Sequence, residues 1–324
     1  MLSIVSIGKN EAENIPRLAA SIEALKQLCD FPIETLFIDS ASSDQSGEIA
    51  ARYFDRVIGL VPSQRLCASA GRYVGTIEAR YPWVFYLDAD MEICEQFFPV
   101  IAGIEDVSDD TVGFLGLYLH RFDNNTSAFQ GFAGGVLKSE WASQFGGAVI
   151  LRRSAVLIAG NWNPGVFGKE EMELYARLGK GERVVKFINL PMIKHYSEYL
   201  TRTELFLRLL YPSGGMGKVF YGYGQSVRSL LIARNLTSLI KLDFEPYLFW
   251  ALLVFGIIIA AFLPFEWGFL LLAAELLWLS VWMRPGAIVR YLTLPLSLVS
   301  GWFRYIPYFR PSLKMWSSNN DQES

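Results

Sequence analysis

The chain has 324 residues, of which 52% are hydrophobic, and its formal net charge at pH 7 is −3. This length accommodates one catalytic domain with a smaller appendage. The charge balance excludes the basic surface of nucleic-acid-binding proteins, so we expect no nucleic-acid partner. The three cysteines, Cys29, Cys67 and Cys94, are odd in number and form no CxxC pair, which is typical of a reducing compartment.

The first ninety residues predict an α/β fold. Between Glu11 and Leu28, apolar residues repeat at three- and four-residue spacing, which predicts an amphipathic helix. Strands alternating with such helices predict a Rossmann-like, mostly parallel sheet with flanking helices. Four short apolar runs predict its buried strands: Leu2 to Ile7, Ile33 to Ile38, Arg56 to Leu60 and Trp83 to Leu87.

Polar residues follow three of these strands, where ligands of parallel sheets bind. They are Asn10-Glu11 after the first strand, Asp39 to Asp44 after the second and Asp88-Ala89-Asp90 after the fourth. The next part, from about Thr111 to Ser197, contains a predicted helix from Lys169 to Leu178 and would complete a cleft. We therefore assign residues 1–200 to the catalytic domain.

The last third of the chain predicts a membrane attachment. Residues 201–245 form a basic and aromatic helical segment, and two apolar segments follow, Tyr247 to Leu263 and Trp267 to Met283, each at the lower limit of a bilayer span. Basic residues flank the pair and are absent from the turn between them, so the positive-inside rule predicts a hairpin with both ends cytoplasmic. A buried helical hairpin of a soluble fold is the alternative.

These features predict two transmembrane helices in residues 246–284, followed by an interfacial amphipathic or third membrane segment in residues 285–316 and a disordered tail in residues 317–324. We expect the protein at the inner (plasma) membrane of the cell, with its catalytic domain facing the cytoplasm.

The pair Asp88 and Asp90 is a candidate metal site. A nucleoside diphosphate leaving group brings several negative charges, which a divalent cation with oxygen ligands neutralises. If the strand period continued through this pair, both carboxylates would point to one side. Acidic pairs also end many strands without binding a metal.

Taken together, three motifs resemble family 2 glycosyltransferases of the GT-A fold, in that family's order and spacing. They are Ser3 to Glu11 with Asn14, Phe37 to Asp44, and Phe85 to Asp90. The resemblance covers roughly Leu2 to Ser197. It implies an inverting, metal-dependent transfer of a sugar from a nucleotide-sugar donor, with Mn²⁺ or Mg²⁺ as cofactor.

The same resemblance implies roles for individual residues. His195, at a predicted strand end, would complete the metal shell with Asp88 and Asp90, although a hydrogen-bonded surface histidine is an equal alternative. His120 has no such context and remains unassigned. Ala70-Gly71-Arg72 would form a turn lining the donor pocket. The implied donor-binding residues are Asn10, Glu11, Asp39, Ser42, Asp44, Arg65, Arg72 and Asp88.

The segment Lys169 to Leu174 resembles the acidic acceptor-site motif of the family, with Glu-Glu in place of Glu-Asp. Glu171 matches the catalytic base and Glu170 is the second candidate, while a solvated acidic helix start is the alternative. A base suits a hydroxyl acceptor, which must lose a proton as it attacks.

The acceptor is expected to contact Gly147, Tyr223 and Arg228. Gln225 to Arg228 resembles the Gln-x-x-Arg-Trp element of processive members, but Ser229 replaces the tryptophan. We therefore expect one sugar to be transferred per encounter.

The membrane hairpin predicts a lipid-linked saccharide acceptor in cell-surface polysaccharide synthesis. Three alternatives differ from this interpretation. A polyprenyl-phosphate glycosyltransferase would use a phosphate acceptor. A nucleotidyltransferase is disfavoured, because Gly8-Lys9-Asn10-Glu11 is not a glycine-rich phosphate loop. A non-catalytic membrane scaffold could retain the same fold.

Overall fold

The computed structural model describes residues 1–62, 66–107, 111–122, 125–131, 141–142, 145–179, 184–197, 215–235, 237–238, 244–270, 274, 288–307 and 310–315.

All four predicted strands are present, and they form one parallel half of the sheet. They are β1 (Leu2–Gly8), β2 (Ile33–Asp39), β3 (Arg56–Leu60) and β4 (Trp83–Asp88), in the spatial order β3-β2-β1-β4. The register pairs Gly8 with Asp39 and Ile7 with Asp88, so the strands end at the same edge. Their apolar residues are buried on both faces, as expected of parallel strands covered by helices.

Helices α1 (Ile15–Lys26), α2 (Ser46–Ala50) and α3 (Ala68–Glu78) connect these strands. The predicted stripe of α1 is confirmed, since Ile15, Leu18 and Leu25 are fully buried. Residues 70–72 lie inside α3, so the predicted turn at Ala70-Gly71-Arg72 is wrong. Small residues let α3 approach β1 closely: a Cβ at Gly75 would lie 2.2 Å from Val5 Cγ1.

The other half makes the sheet mixed rather than mostly parallel. Strand β8 (Val149–Arg152) runs antiparallel to both β4 and β6 (Gly113–Phe122), and β6 runs parallel to β9 (Val185–Ser197). Two shorter strands, β5 (Met91–Ile93) and β7 (Asn125–Gly131), pair antiparallel with β9 and β6. The prediction failed because long-range pairing sets strand direction here.

Three further helices complete this part: α4 (Phe98–Ala102), α5 (Arg153–Ile158) and α6 (Glu170–Gly179). Helix α6 confirms the helix predicted from Lys169 to Leu178.

The C-terminal part returns to the catalytic domain. It contains α7 (Gly215–Ile232), α8 (Phe244–Ala261), α9 (Ile288–Arg304) and β10 (Leu313–Met315). Helices α7 and α9 are in close contact at Gly224, where an added Cβ would lie 2.2 Å from the carbonyl oxygen of Leu298. Strand β10 pairs antiparallel with β3 and covers that edge of the sheet, which the sequence did not indicate.

The predicted transmembrane hairpin is not supported. Among the described residues, no helix is both long enough and apolar enough to cross a bilayer. The 18 residues of α8 rise about 27 Å, somewhat short of the hydrocarbon core of a bilayer. Most of the second predicted segment, Trp267 to Met283, lies outside the described residues, as does the predicted tail at 317–324.

Candidate functional site

The ends of β1 and β2 form one wall of the candidate site. Asp39 is buried and accepts hydrogen bonds from the backbone N–H of Ser42, at 3.2 Å, and from the Ser42 hydroxyl. Asn10 has a positive φ of 59° and receives a 2.8 Å hydrogen bond from the Ser43 backbone to its side-chain oxygen. These bonds tie the two loops together and hold Asp39 at the sheet edge.

Glu11 and Asp44 lie in the same two loops. The Asn14 amide donates a 2.6 Å hydrogen bond to Glu11 Oε2, and the Glu11 backbone N–H donates to the Ser46 hydroxyl. Burial, with the nearby charges of Asp90 and Asp88, raises the pKa of Glu11 despite the Asn14 hydrogen bond. The end of β4 therefore lies close to Glu11. Asp44 accepts backbone hydrogen bonds from Ser46 and Ala12.

Asp88 and Asp90 face different partners. Strand β4 ends at Asp88, and the next two residues form a turn, so the strand period does not extend to Asp90. Backbone hydrogen bonds of 2.9 Å fix this turn on both sides, from Ala89 to the Ile7 carbonyl and from Tyr196 to the Asp90 carbonyl. Asp88 turns toward α3, whereas Asp90 turns toward β9.

Arg72 of α3 joins the donor and acceptor sides of the predicted site. Its side chain is 1% exposed; Nη2 lies 2.8 Å from Asp88 Oδ1, and Nη1 lies 3.3 Å and 3.2 Å from Oε1 of Glu170 and Glu171. Its guanidinium lies 5.0 Å from the ring centre of Trp162. Burial would lower the pKa of Arg72, but the charges of Asp88 and Glu171 and the hydrogen bond to Asp88 outweigh that effect and raise it, so Arg72 stays charged.

The two glutamates at the start of α6 have different environments. The side chain of Glu170 is 8% exposed and that of Glu171 is 22% exposed. Burial, together with the charge of Glu171, raises the pKa of Glu170 to about 8, although Arg72 opposes the shift. Glu170 is therefore mostly neutral near pH 7.

Gly147 allows the backbone to approach Asp88 and Arg72. A Cβ at this position would lie 2.3 Å from Asp88 Oδ2 and 2.9 Å from Arg72 Nη2. Next to it, the Ala148 backbone N–H donates a 2.7 Å hydrogen bond to the buried Tyr118 hydroxyl. Any larger residue at Gly147 would displace the Asp88–Arg72 ion pair.

His195 and Asp90 form the predicted metal side of the site. His195 Nε2 lies 3.0 Å from Asp90 Oδ2, and its Nδ1 lies 3.2 Å from His120 Nδ1. Burial would lower the pKa of His195, but the Asp90 hydrogen bond and charge raise it; burial and His195 lower the pKa of His120.

The residues fit a hard cation in one respect. Asp90 Oδ1 is buried and has no hydrogen-bond partner among the described residues, which leaves an oxygen lone pair for a metal. Asp88, Asp90 and His195 are the residues that could hold it. As arranged, the described part of the chain contains no group of three or more His, Cys, Asp or Glu side chains that would already enclose an ion.

Arg228, one of the predicted acceptor residues, contacts helix α9. Arg228 Nη1 donates a 2.6 Å hydrogen bond to the Trp302 carbonyl and lies over the Trp302 ring, so it joins α7 to α9. Ser229 donates to the buried Glu173 at 2.6 Å and accepts from Asn163 at 2.7 Å. The Tyr223 side chain and all of Arg65 lie outside the described residues.

Sequence reasoning missed three residues that build the site: Trp162 beneath Arg72, Tyr118 beside Gly147, and His120. The first two belong to no motif. His120 carried one usable signal, because the chain has only two histidines and both occupy strands of the same sheet.

Comparisons with known proteins bear on this arrangement. Residues 3–132, less than half of the chain, match the family described as Glycosyl transferase family 2. That segment contains Asp39, Arg72, Asp88 and Asp90. No curated protein matches the sequence significantly.

Several solved structures are similar in fold. The mannosyltransferase PcManGT from Pyrobaculum calidifontis, in complex with GDP-Man and Mn²⁺, is 14% identical, with a TM-score of 0.50 over 93% of this chain and 85% of that one. S. aureus TarS is 14% identical, with a TM-score of 0.46 over 71% of this chain. The present chain spans 43% of the TarS chain. GalNAc-T7 with UDP, GalNAc and Mn²⁺ is 16% identical, with a TM-score of 0.48 over 74% of this chain and 53% of that one.

The protein has a mixed α/β sheet of the GT-A type with flanking helices. The family match and this fold support a glycosyltransferase.

Proposed function

We propose that the protein transfers one sugar, with inversion, from a nucleotide-sugar donor to a hydroxyl group of a lipid-linked saccharide. The observation that carries the proposal is the position of Arg72, which contacts Asp88 at the end of β4 and both glutamates at the start of α6. The group proposed to hold the donor and the group proposed to activate the acceptor are therefore within reach of one side chain.

The donor lies across the carboxyl ends of β1, β2 and β4. Asp39 has carboxylate oxygens available for the base and ribose of the nucleotide, and its bonds to Ser42 fix their direction. Asn10 and Glu11 border the same pocket. Burial and the nearby charges of Asp90 and Asp88 raise the pKa of Glu11.

Mn²⁺ or Mg²⁺ is the proposed cofactor, with Asp88, Asp90 and His195 as its ligands. When bound, such an ion neutralises negative charge on the diphosphate leaving group. The buried Oδ1 of Asp90, which has no hydrogen-bond partner within the described part of the chain, supports this role.

Glu171 is the proposed base. It is the more exposed of the two glutamates, so it can reach an acceptor, whereas Glu170 is mostly neutral near pH 7. Glu171 takes the proton of the acceptor hydroxyl as the hydroxyl oxygen attacks the anomeric carbon. The bond from that carbon to the diphosphate oxygen breaks in the same step, and its electron pair leaves with the nucleoside diphosphate, so the anomeric configuration inverts.

We further propose that the protein works at the cytoplasmic face of the inner membrane, in cell-surface polysaccharide synthesis. Exposed apolar side chains between positions 254 and 270 support membrane contact, because soluble surfaces rarely expose so many together. They include Phe255, Ile258, Phe262, Phe265, Trp267 and Phe269. A lipid-linked acceptor would be presented at that surface.

The test measures nucleoside diphosphate release from a panel of UDP-, GDP- and dTDP-sugars, with and without Mn²⁺ or Mg²⁺. We expect metal-dependent release from one donor, lost in Asp90→Asn and retained in Asp30→Asn, an exposed carboxylate in the loop between α1 and β2. Donor binding without release, even with saccharide acceptors present, would favour a non-catalytic scaffold. Absence of both binding and release would contradict the proposal.

A further inference from the structure

His120 and His195 face each other across the two parallel strands β6 and β9. The strand register pairs the two residues directly, so their side chains lie on the same face of the sheet. Their Nδ1 atoms are 3.2 Å apart, and the ring centres are 5.1 Å apart at an interplanar angle of 66°. The contact is therefore a hydrogen bond between two ring nitrogens of steeply inclined rings, and not a stack of parallel rings.

The same contact continues to the end of β4. The second ring nitrogen of His195, Nε2, lies 3.0 Å from Asp90 Oδ2. Asp90 is held in place by the backbone hydrogen bond from Tyr196 to its carbonyl oxygen, and Met91 pairs with His195 in the β5–β9 register. His120, His195 and Asp90 thus form a continuous row that ends at Asp90 Oδ1, a buried atom with no partner among the residues that the structure describes.

The protons in this row follow from the chemistry of imidazole. An ionised carboxylate only accepts hydrogen bonds, so His195 Nε2 carries a proton while it is bonded to Asp90. A cation at the same place would need the Nε2 lone pair, and a neutral His195 would then carry its proton on Nδ1. That proton requires an acceptor, and His120 Nδ1 is within hydrogen-bond distance.

We propose that His120 is a positioning residue of the metal site, whose Nδ1 accepts the hydrogen bond from His195 Nδ1–H and leaves the Nε2 lone pair facing the cation beside Asp90. The inference rests on the proposed function, in which His195 is a metal ligand. Hydrogen bonds of this kind from ligating histidines usually go to a carboxylate or a backbone carbonyl.

A neutral imidazole in this place has a physical advantage. Asp88, Asp90 and Glu11 already concentrate negative charge near His195, as the raised pKa of Glu11 reflects. A carboxylate at position 120 would add another negative charge to this cluster, whereas His120 orients His195 without doing so. An imidazole can also donate from Nδ1 when His195 has its proton on Nε2, so the pair keeps its hydrogen bond in both states.

The experiment measures the affinity for Mn²⁺ alone, by the electron paramagnetic resonance signal of the free ion, in the full-length protein. His120→Phe keeps an aromatic side chain but removes the acceptor, and we expect its affinity to fall about tenfold or more, the usual effect of losing such a partner. His120→Asn retains a side-chain oxygen acceptor and is expected to restore most of the affinity. His195→Ala should lose more than either.

A second readout separates this role from a structural one. In the donor hydrolysis assay, the half-saturating Mn²⁺ concentration should rise in His120→Phe, while the rate at saturating Mn²⁺ stays close to that of the wild type. Wild-type affinity in a folded His120→Phe would overturn the proposal, as would a failure of the wild type to bind Mn²⁺. If no donor in the panel is hydrolysed, the proposed function fails, but the resonance measurement still decides the role of His120.

Discussion

The two glutamates at the start of α6 allow a matched pair of substitutions, Glu171→Gln and Glu170→Gln. Both side chains lie near Arg72 Nη1, at 3.2 Å and 3.3 Å, and each glutamine retains the oxygen that accepts from it. Each change removes one ionisable group with almost no change in volume. The two variants therefore differ mainly in which proton-binding site is lost.

We expect very different losses of activity. Removing a general base lowers the rate by roughly 10² to 10⁴, which corresponds to about 3 to 5 kcal/mol in the barrier. This loss applies to Glu171→Gln. Because the pKa of Glu170 is raised to about 8, Glu170→Gln replaces one neutral side chain with another near pH 7. Its loss should stay below about tenfold.

The assay is the release of nucleoside diphosphate from the active donor at saturating metal, at pH 7. Donor affinity, measured by calorimetry, should be similar in both variants, because neither residue is proposed to hold the donor. A larger loss in Glu170→Gln than in Glu171→Gln would reverse the assignment of the base. Full activity of both variants would refute a base in this motif and favour a phosphate acceptor, which needs none.

Three further predictions concern stability and membrane contact. Because the pKa of Glu170 is raised, its contribution to stability is fully present below its ordinary pKa of 4.5 and is lost as the pH rises through about 8. The Tm of the wild type should therefore fall from pH 5 to pH 9. An equally large fall in Glu170→Gln would contradict this cause. Gly147→Ala places a Cβ 2.3 Å from Asp88 Oδ2 and should lower the unfolding free energy by about 1 to 3 kcal/mol and remove most of the activity. The control is Gly103→Ala, whose Cβ would meet only the carbonyl oxygen of Pro99, at 3.5 Å. Equal effects of the two substitutions would argue against the close contact at Gly147. Phe262→Ser and Phe265→Ser, at side chains that are 86% and 84% exposed, should each lower binding to anionic lipid vesicles, measured by flotation, about tenfold. The control Ile158→Ser, at an 88% exposed side chain on α5, should not lower vesicle binding. Unchanged vesicle binding in all three variants would refute the membrane surface.

The local pattern of the sequence was sufficient for the parallel half of the fold. The strands from Leu2 to Asp88 are continuous apolar runs, and the stripe of α1 has the helical period, so both follow from short-range rules. Because parallel strands end at a common edge, the positions of Asp39, Asp88 and Glu11 at that edge were also predictable. The helix that carries Glu170 and Glu171 was found in the same way.

The sequence misled where the apolar pattern has more than one physical cause. The run around helix α8 resembles a membrane span, but no helix of the described residues is long and apolar enough to cross a bilayer. Composition alone does not distinguish these cases, because it does not specify what lies opposite each side chain.

The sequence by itself determined the four parallel strands, helices α1 and α6, and the three acidic motifs at the edge of the sheet. Only the tertiary structure decided that Arg72 contacts both Asp88 and the two glutamates that lie 98 and 99 positions after it in the chain. The same holds for the contact between His120 and His195, which are 75 positions apart. These contacts depend on the direction of β8 and on the register between β6 and β9. Strand register and direction are set by long-range packing of the whole sheet, and a one-residue slip would turn His120 to the opposite face.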